Sequence, residues 1–265
     1  MQCNRTLAFC EQHTLVTLAK TAVLFEDIMT AADHTTFSDR LADVKARIAA
    51  ACARSGRTAE EITLVAVSKT WPLTDLQAAV AAGATDLGEN YVQEAADKVT
   101  RWQGPSPVWH FIGPLQSNKT RQVAELFDWV HSVDRLKIGR RLSEQRPATR
   151  PPLSVCIQVN ISQDPAKSGV APADVAALVA ELAALKNLKV AGLMAIPALD
   201  LDDATLSKQY SELKSLRDTL MTDYPDCQAL SMGMSGDFEL AIECGATHVR
   251  VGSALFGDRA TQTKS

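Results

Sequence analysis

The stretch ITLVAVSKTWP, residues 62–72, carries the first decision about this chain. Seven mostly apolar, partly β-branched residues end at Ser68, and a lysine comes next. Such a run reads as a strand buried on both faces, as in a parallel sheet. A doubly wound dinucleotide-binding sheet often places a glycine-rich turn after its first strand. Here the strand runs into SKTWP, and no GxGxxG stands near it.

Beyond this strand the chain alternates regularly. LTDLQAAVAAG (73–83) reads as a helix ending at Gly83, a suitable residue just past a helix end. TDLGE, VWHFIG, WVHSV, LSVCIQVN, LKVAGLMAI, QALSMG and THVRVG read as seven more strands, each followed by a helical pattern. PADVAALVAELAAL (172–185) is the strongest of these helices. Before the first strand, Leu41, Val44 and Ile48 recur at helical spacing. Eight strand–helix units without a long linker predict one domain, a (β/α)8 TIM barrel over residues 35–259, with a short tail at 260–265.

Residues 1–34 read differently. LVTLAKTAVLF (15–25) is apolar but contains Lys20 and is too short to span a bilayer. It has neither the basic start nor the cleavage site of a signal peptide. It is read as a loose extension or as a start codon placed too early, Met29 being the alternative. The net charge of −4 argues against a nucleic-acid binder that relies on a broad basic face. Six cysteines, at 3, 10, 52, 156, 227 and 244, form no CxxC pair and no zinc-like cluster. That usage suits a reducing, cytoplasmic setting.

Barrels place function at the carboxyl ends of their strands. Strand 1 ends at Lys69, strand 2 at Glu89 and Asn90, strand 7 in MGMSG and strand 8 in RVGS. Loops 7 and 8 of barrels commonly hold phosphate. Ser235 and Ser253 can donate hydroxyls there, Gly252 lets backbone approach an oxygen, and Ser235 is a candidate helix N-cap. Asp237 and Glu239 count against a phosphate unless they point away. A lysine in an apolar mouth has a lowered pKa, because burial penalises its charge, and its neutral amine can attack a carbonyl. Lysine beside phosphate loops suggests pyridoxal 5′-phosphate or a phosphorylated aldehyde. Arg250, if it faces the mouth, could contact a pyridine nitrogen; the alternative is a pair with a neighbouring carboxylate. Arginine does not hand over its proton, which disfavours aminotransferase chemistry. His110 reads as a satisfied core histidine more than a catalyst. Tyr91, Tyr210 and Tyr224 offer no evident general acid.

AVSKTWP, GENYVQE (88–94), WHFIGPLQSNK (109–119), KSG (167–169), GLMAIPA (192–198), LSMGMSGDFELAI (230–242) and VRVGSALFG (249–257) resemble, in order and spacing, the YggS/PROSC family of pyridoxal phosphate homeostasis proteins. The resemblance runs from about residue 36 to about 259. It implies a barrel like the N-terminal domain of alanine racemase. Lys69 matches the lysine that holds the cofactor as a Schiff base, and Ser235, Gly252 and Ser253 match phosphate-binding positions. Arg250 matches the arginine near the pyridine nitrogen, Asn90 a ring-side position, and Met194 and Met232 pocket positions. Ser253 stands where some members have threonine, which keeps the hydroxyl.

The resemblance implies a protein that holds pyridoxal phosphate and balances vitamin B6 without robust catalysis, with cofactor-requiring apo-enzymes as recipients. Racemases of this type take a catalytic tyrosine from a second domain, and the chain ends at Ser265, soon after strand 8. The competing readings are a racemase-like enzyme or Schiff-base aldolase, and a scaffold that reports cofactor level. The expected form is a monomer without membrane attachment.

Overall fold

The structure, a computed structural model, describes residues 36–198 and 200–257. The expected extension at 1–34 and the tail at 260–265 lie outside the described residues. Eight parallel strands close into a barrel in chain order, β8 pairing back onto β1. They are β1 (Thr63–Val67), β2 (Asp86–Glu89), β3 (Val108–Phe111), β4 (Trp129–Val133), β5 (Leu153–Val159), β6 (Leu188–Ala195), β7 (Ala229–Ser231) and β8 (His248–Val251). The alternation read from the sequence is thus the observed order.

Each strand leads into a helix whose apolar stripe covers the sheet. The helices are α1 (Phe37–Arg54), α2 (Leu73–Ala81), α3 (Val92–Arg101), α4 (Thr120–Leu126), α5 (Leu136–Gln145), α6 (Val175–Ala183), α7 (Asp203–Leu220), α8 (Phe238–Glu243) and α9 (Ser253–Phe256). The α7 N-terminus is capped by Asp202, whose carboxylate accepts from the Thr205 amide at 2.7 Å. The helix after β8 is a single turn. α1 lies beside it, with Phe37 against Phe256 at 5.0 Å and Arg47 paired to Glu239 of α8 at 2.6 Å. Leu41, Val44 and Ile48, the periodic residues of α1, are buried there. None of the described helices is long and apolar enough to cross a membrane.

The strands alternate between two cores. On β8, Val249 and Val251 belong to the outer layer between sheet and helices. Arg250, between them, points into the barrel and reaches Ser231 of β7 and the Ala195 carbonyl of β6. Met194 and Cys156 pack together as an interior cluster, while Met232 belongs to the outer core. Neither methionine lines the mouth, against the expectation for both. Met232, just beyond β7, packs into the outer core, and Met234, farther along the loop, forms part of the rim.

Candidate functional site

Lys69, Asn90, Ser235, Arg250, Gly252 and Ser253 all line one cavity of about 600 Å³ at the carboxyl ends of the strands. Their positions span residues 69 to 253, so only barrel closure brings them together. Trp71, Ile112, Ile196 and Met234 supply apolar wall.

Lys69 is held by its neighbours. The Ser68 hydroxyl donates to Glu89 Oε1 at 2.6 Å. The Thr70 amide donates to Glu94 Oε1 at 2.5 Å. Lys98 of α3 ties these together, donating to Glu94 at 2.6 Å, to Glu89 at 2.8 Å and to the Ser68 carbonyl at 3.0 Å. Thr70 sits at φ 70°, a conformation a β-branched residue adopts only under constraint. The residues on either side of Lys69 are therefore fixed to β2 and α3. Sequence reading missed this clamp. Its signal was legible, since Glu94 and Lys98 stand four apart on a predicted helix, the order that favours an ion pair. Burial holds the Glu89 carboxyl above its usual range, with the Lys98 ammonium opposing that rise.

Loops 7 and 8 meet over the cavity. Ser235 is not the N-cap expected: α8 begins at Phe238 with Asp237 at the cap position, and the Asp237 carboxylate accepts from the Met234 amide of the preceding turn at 2.6 Å. The Ser235 hydroxyl oxygen instead accepts from the Gly252 and Ala254 amides at 3.2 and 3.4 Å, joining the two loops. The acidic residues of this turn face elsewhere. Asp237 accepts from the Tyr210 hydroxyl at 2.6 Å, and Glu239 pairs with Arg47.

Arg250 is buried, and among the described residues no carboxylate lies within ion-pair distance of it. Its partners are the Ser231 hydroxyl at 2.7 Å and the Ala195 carbonyl at 3.0 Å. The carboxylate pair considered from the sequence is absent among those residues. Burial pushes the guanidinium pKa down. His110 is a satisfied core histidine, between His131 and Asp86 at 2.9 Å each. Tyr210 is buried against Asp237, and Tyr224 lies beside a different cavity.

A phosphorylated aldehyde with a polar ring fits what the cavity offers. The Asn90 Oδ1 atom is buried without a hydrogen-bond partner. A Cβ placed on Gly236 would meet nothing within 4 Å, and one on Gly252 only Val67 at 3.5 Å. The protein's own packing therefore leaves room over both glycines. A larger cavity, about 670 Å³, opens elsewhere and is lined by Trp129, Arg146 and Lys189. Its cations are engaged: Arg146 donates to three backbone carbonyls, and Lys189 pairs with Asp226 at 3.0 Å.

A family profile described as "Alanine racemase, N-terminal domain" matches residues 41–260. The pyridoxal phosphate homeostasis protein of Pseudomonas aeruginosa is 51% identical over 224 residues, covering 84% of this chain and 96% of that one. The chain belongs to the pyridoxal phosphate homeostasis protein family. The Escherichia coli K12 family member is 50% identical, over 83% of this chain and 95% of its own. PipY of Synechococcus elongatus, solved with PLP bound, shares 36% identity at a TM-score of 0.72, over 84% of this chain and all of that one. Alanine racemase of Corynebacterium glutamicum, at 15% identity and a TM-score of 0.61, shares the fold.

Proposed function

We propose that this protein binds pyridoxal 5′-phosphate in the cavity that Lys69 shares with loops 7 and 8, and that it serves vitamin B6 balance as a holder of the cofactor. The carrying observation is the convergence of one lysine, one buried arginine, two hydroxyls and two open glycines on a single cavity. The relatives' shared name and the PLP-bound PipY support the same ligand.

Each residue then has a task. Lys69 Nζ would hold the aldehyde carbon of the cofactor covalently. Ser235, Gly252 and Ser253 receive the phosphate, and Arg250 presents a donor to the ring nitrogen. Asn90 Oδ1 offers an acceptor at the ring edge. When bound, the cofactor supplies an electron sink. An arginine partner keeps that sink weak, since guanidinium holds its protons. Among the described residues the cavity is lined by no histidine, tyrosine, cysteine or carboxylate. That leaves no second acid–base group opposite Lys69, which favours a holder over a racemase-like enzyme. Recipients in this reading are cofactor-requiring apo-enzymes in the cytoplasm, and the protein works as a monomer.

The test is a visible spectrum of purified protein before and after borohydride, followed by peptide mapping. A yellow protein whose reduced adduct maps to Lys69 is expected. Lys69→Ala abolishes the adduct while phosphate contacts retain weak binding. An adduct of unchanged stoichiometry in that variant would refute the assignment of the lysine. Racemisation of alanine by the purified protein at enzyme-like rates would refute the holder reading.

A further inference from the structure

The inside of a (β/α)8 barrel is ordinarily filled by branched aliphatic side chains. Here a hydrogen-bonded chain of polar groups runs through it. Arg250 Nη1 donates to Ser231 Oγ at 2.7 Å. Ser231 Oγ lies 2.7 Å from His131 Nδ1. His131 Nε2 lies 2.9 Å from His110 Nδ1, and His110 Nε2 lies 2.9 Å from Asp86 Oδ1. Ser231, His131 and His110 are fully buried. Asp86, at the start of β2, lines a cavity at the amino ends of the strands and keeps some exposure. Four links thus join the cofactor cavity to the opposite end of the barrel.

The direction of every link comes from donor chemistry. Guanidinium only donates, so Ser231 Oγ accepts from Arg250 and its one hydrogen goes to His131 Nδ1. That nitrogen carries no proton, so a neutral His131 donates from Nε2. His110 Nδ1 accepts, and its Nε2–H goes to the Asp86 carboxylate. Both rings are satisfied as neutral Nε2–H tautomers. The reverse direction would require a cationic His110 and would leave the Ser231 hydrogen without an acceptor among the described residues.

Burial favours the neutral form of His131, with the neighbouring His110, His248 and Arg250 adding to that effect. His248 packs beside the chain, 5.9 Å between ring centroids from His131, and is bonded to Thr247 instead. Asp237 and Tyr210 lie on the other side of Arg250 and are bonded to each other.

We propose that Asp86, His110, His131 and Ser231 are positioning residues that fix Arg250 as a donor at the cofactor ring and couple its donor strength to the charge on Asp86. The coupling half rests on the binding reading above; the direction of the chain does not.

Two measurements test it. Long-range proton–nitrogen NMR of the ligand-free protein at neutral pH reads the tautomers directly. Neutral Nε2–H forms are expected for His110 and His131; a cationic ring or an Nδ1–H form at either overturns the chain as drawn. Titration with pyridoxal phosphate then reads the coupling. Asp86→Asn keeps the shape and removes the charge, and should shift the absorption maximum of the bound cofactor. Ser231→Ala removes a hydrogen bond to a charged group and should weaken binding about tenfold. Asp86→Glu should restore the wild-type spectrum. An Asp86→Asn spectrum and affinity equal to wild type would overturn the coupling. Wild-type protein that binds no pyridoxal phosphate would sink the binding reading and the coupling with it, while the NMR result would still decide the direction of the chain.

Discussion

Lys98 shows how much of the placement of Lys69 is done by residues that do not line the cavity. Its ammonium is almost fully buried and compensates Glu89, whose side chain is wholly buried. Removing one member of such a pair leaves an uncompensated charge, at a cost of about 3–5 kcal/mol. Lys98→Met is therefore expected to lower unfolding stability by about that amount. Adding Glu89→Gln should recover much of the loss, because the buried charge disappears with its partner. Urea unfolding of the three variants decides this. A Lys98→Met protein as stable as wild type would show that Glu89 is already neutral in the native state. The same substitution frees the Ser68 carbonyl and Glu94, so cofactor affinity should fall even though Lys98 lies outside the cavity.

At the scale of elements, the cavity depends on how closely the loops after β2 and β3 approach. A Cβ on Gly113 would stand 2.1 Å from the Asn90 carbonyl oxygen and 2.7 Å from its Cα. Those are backbone atoms, so no rotamer change relieves the clash. Gly113→Ala is expected to displace Asn90 and weaken pyridoxal phosphate binding, with the barrel still formed by circular dichroism. Unchanged affinity would mean that Asn90 contributes nothing to the site. The Ser132 hydroxyl donates to the Gly113 carbonyl at 2.6 Å, which fixes this loop from the β4 side as well. Periodicity places β2 and β3 in order, but two adjacent loops in a sequence carry no record of their spacing.

At the scale of the whole molecule, the buried histidines are expected to make the fold sensitive to acid. Burial, first of all, holds His131 well below the usual histidine range and pushes His248 down to about 3. Below the ordinary value of 6.5 the unfolded chain takes up protons that these rings refuse. For His248 stability therefore falls as pH drops from 6.5 toward about 3, and His131 adds to the loss in the same direction. Asp86, where burial raises the carboxyl but the bonds to His110 and Thr85 together outweigh it and hold it low, loses its contribution only below 3.8. Glu89 works the other way, because its raised carboxyl favours the folded state as pH falls through that raised value. Comparing urea midpoints of wild type and His248→Asn at pH about 7 and about 5 isolates the histidine contribution, since both proteins carry Glu89. The variant should show the flatter pH dependence; parallel curves would place the acid sensitivity elsewhere.

The order of strands and helices comes from sequence alone, because two- and 3.6-residue periods and the absence of a glycine-rich first turn are local properties. The positions of Lys69, Asn90, Ser235, Arg250, Gly252 and Ser253 at strand ends come from the same local pattern. The role of each side chain at those ends was decided by closure of the barrel. Ser235 became a bridge to Gly252 instead of a cap, and Met232 and Met194 turned away from the mouth. The polar chain from Arg250 to Asp86 joins strands that are distant in sequence. Its partners are chosen by a few ångströms of inter-strand register, and only the tertiary structure sets that register.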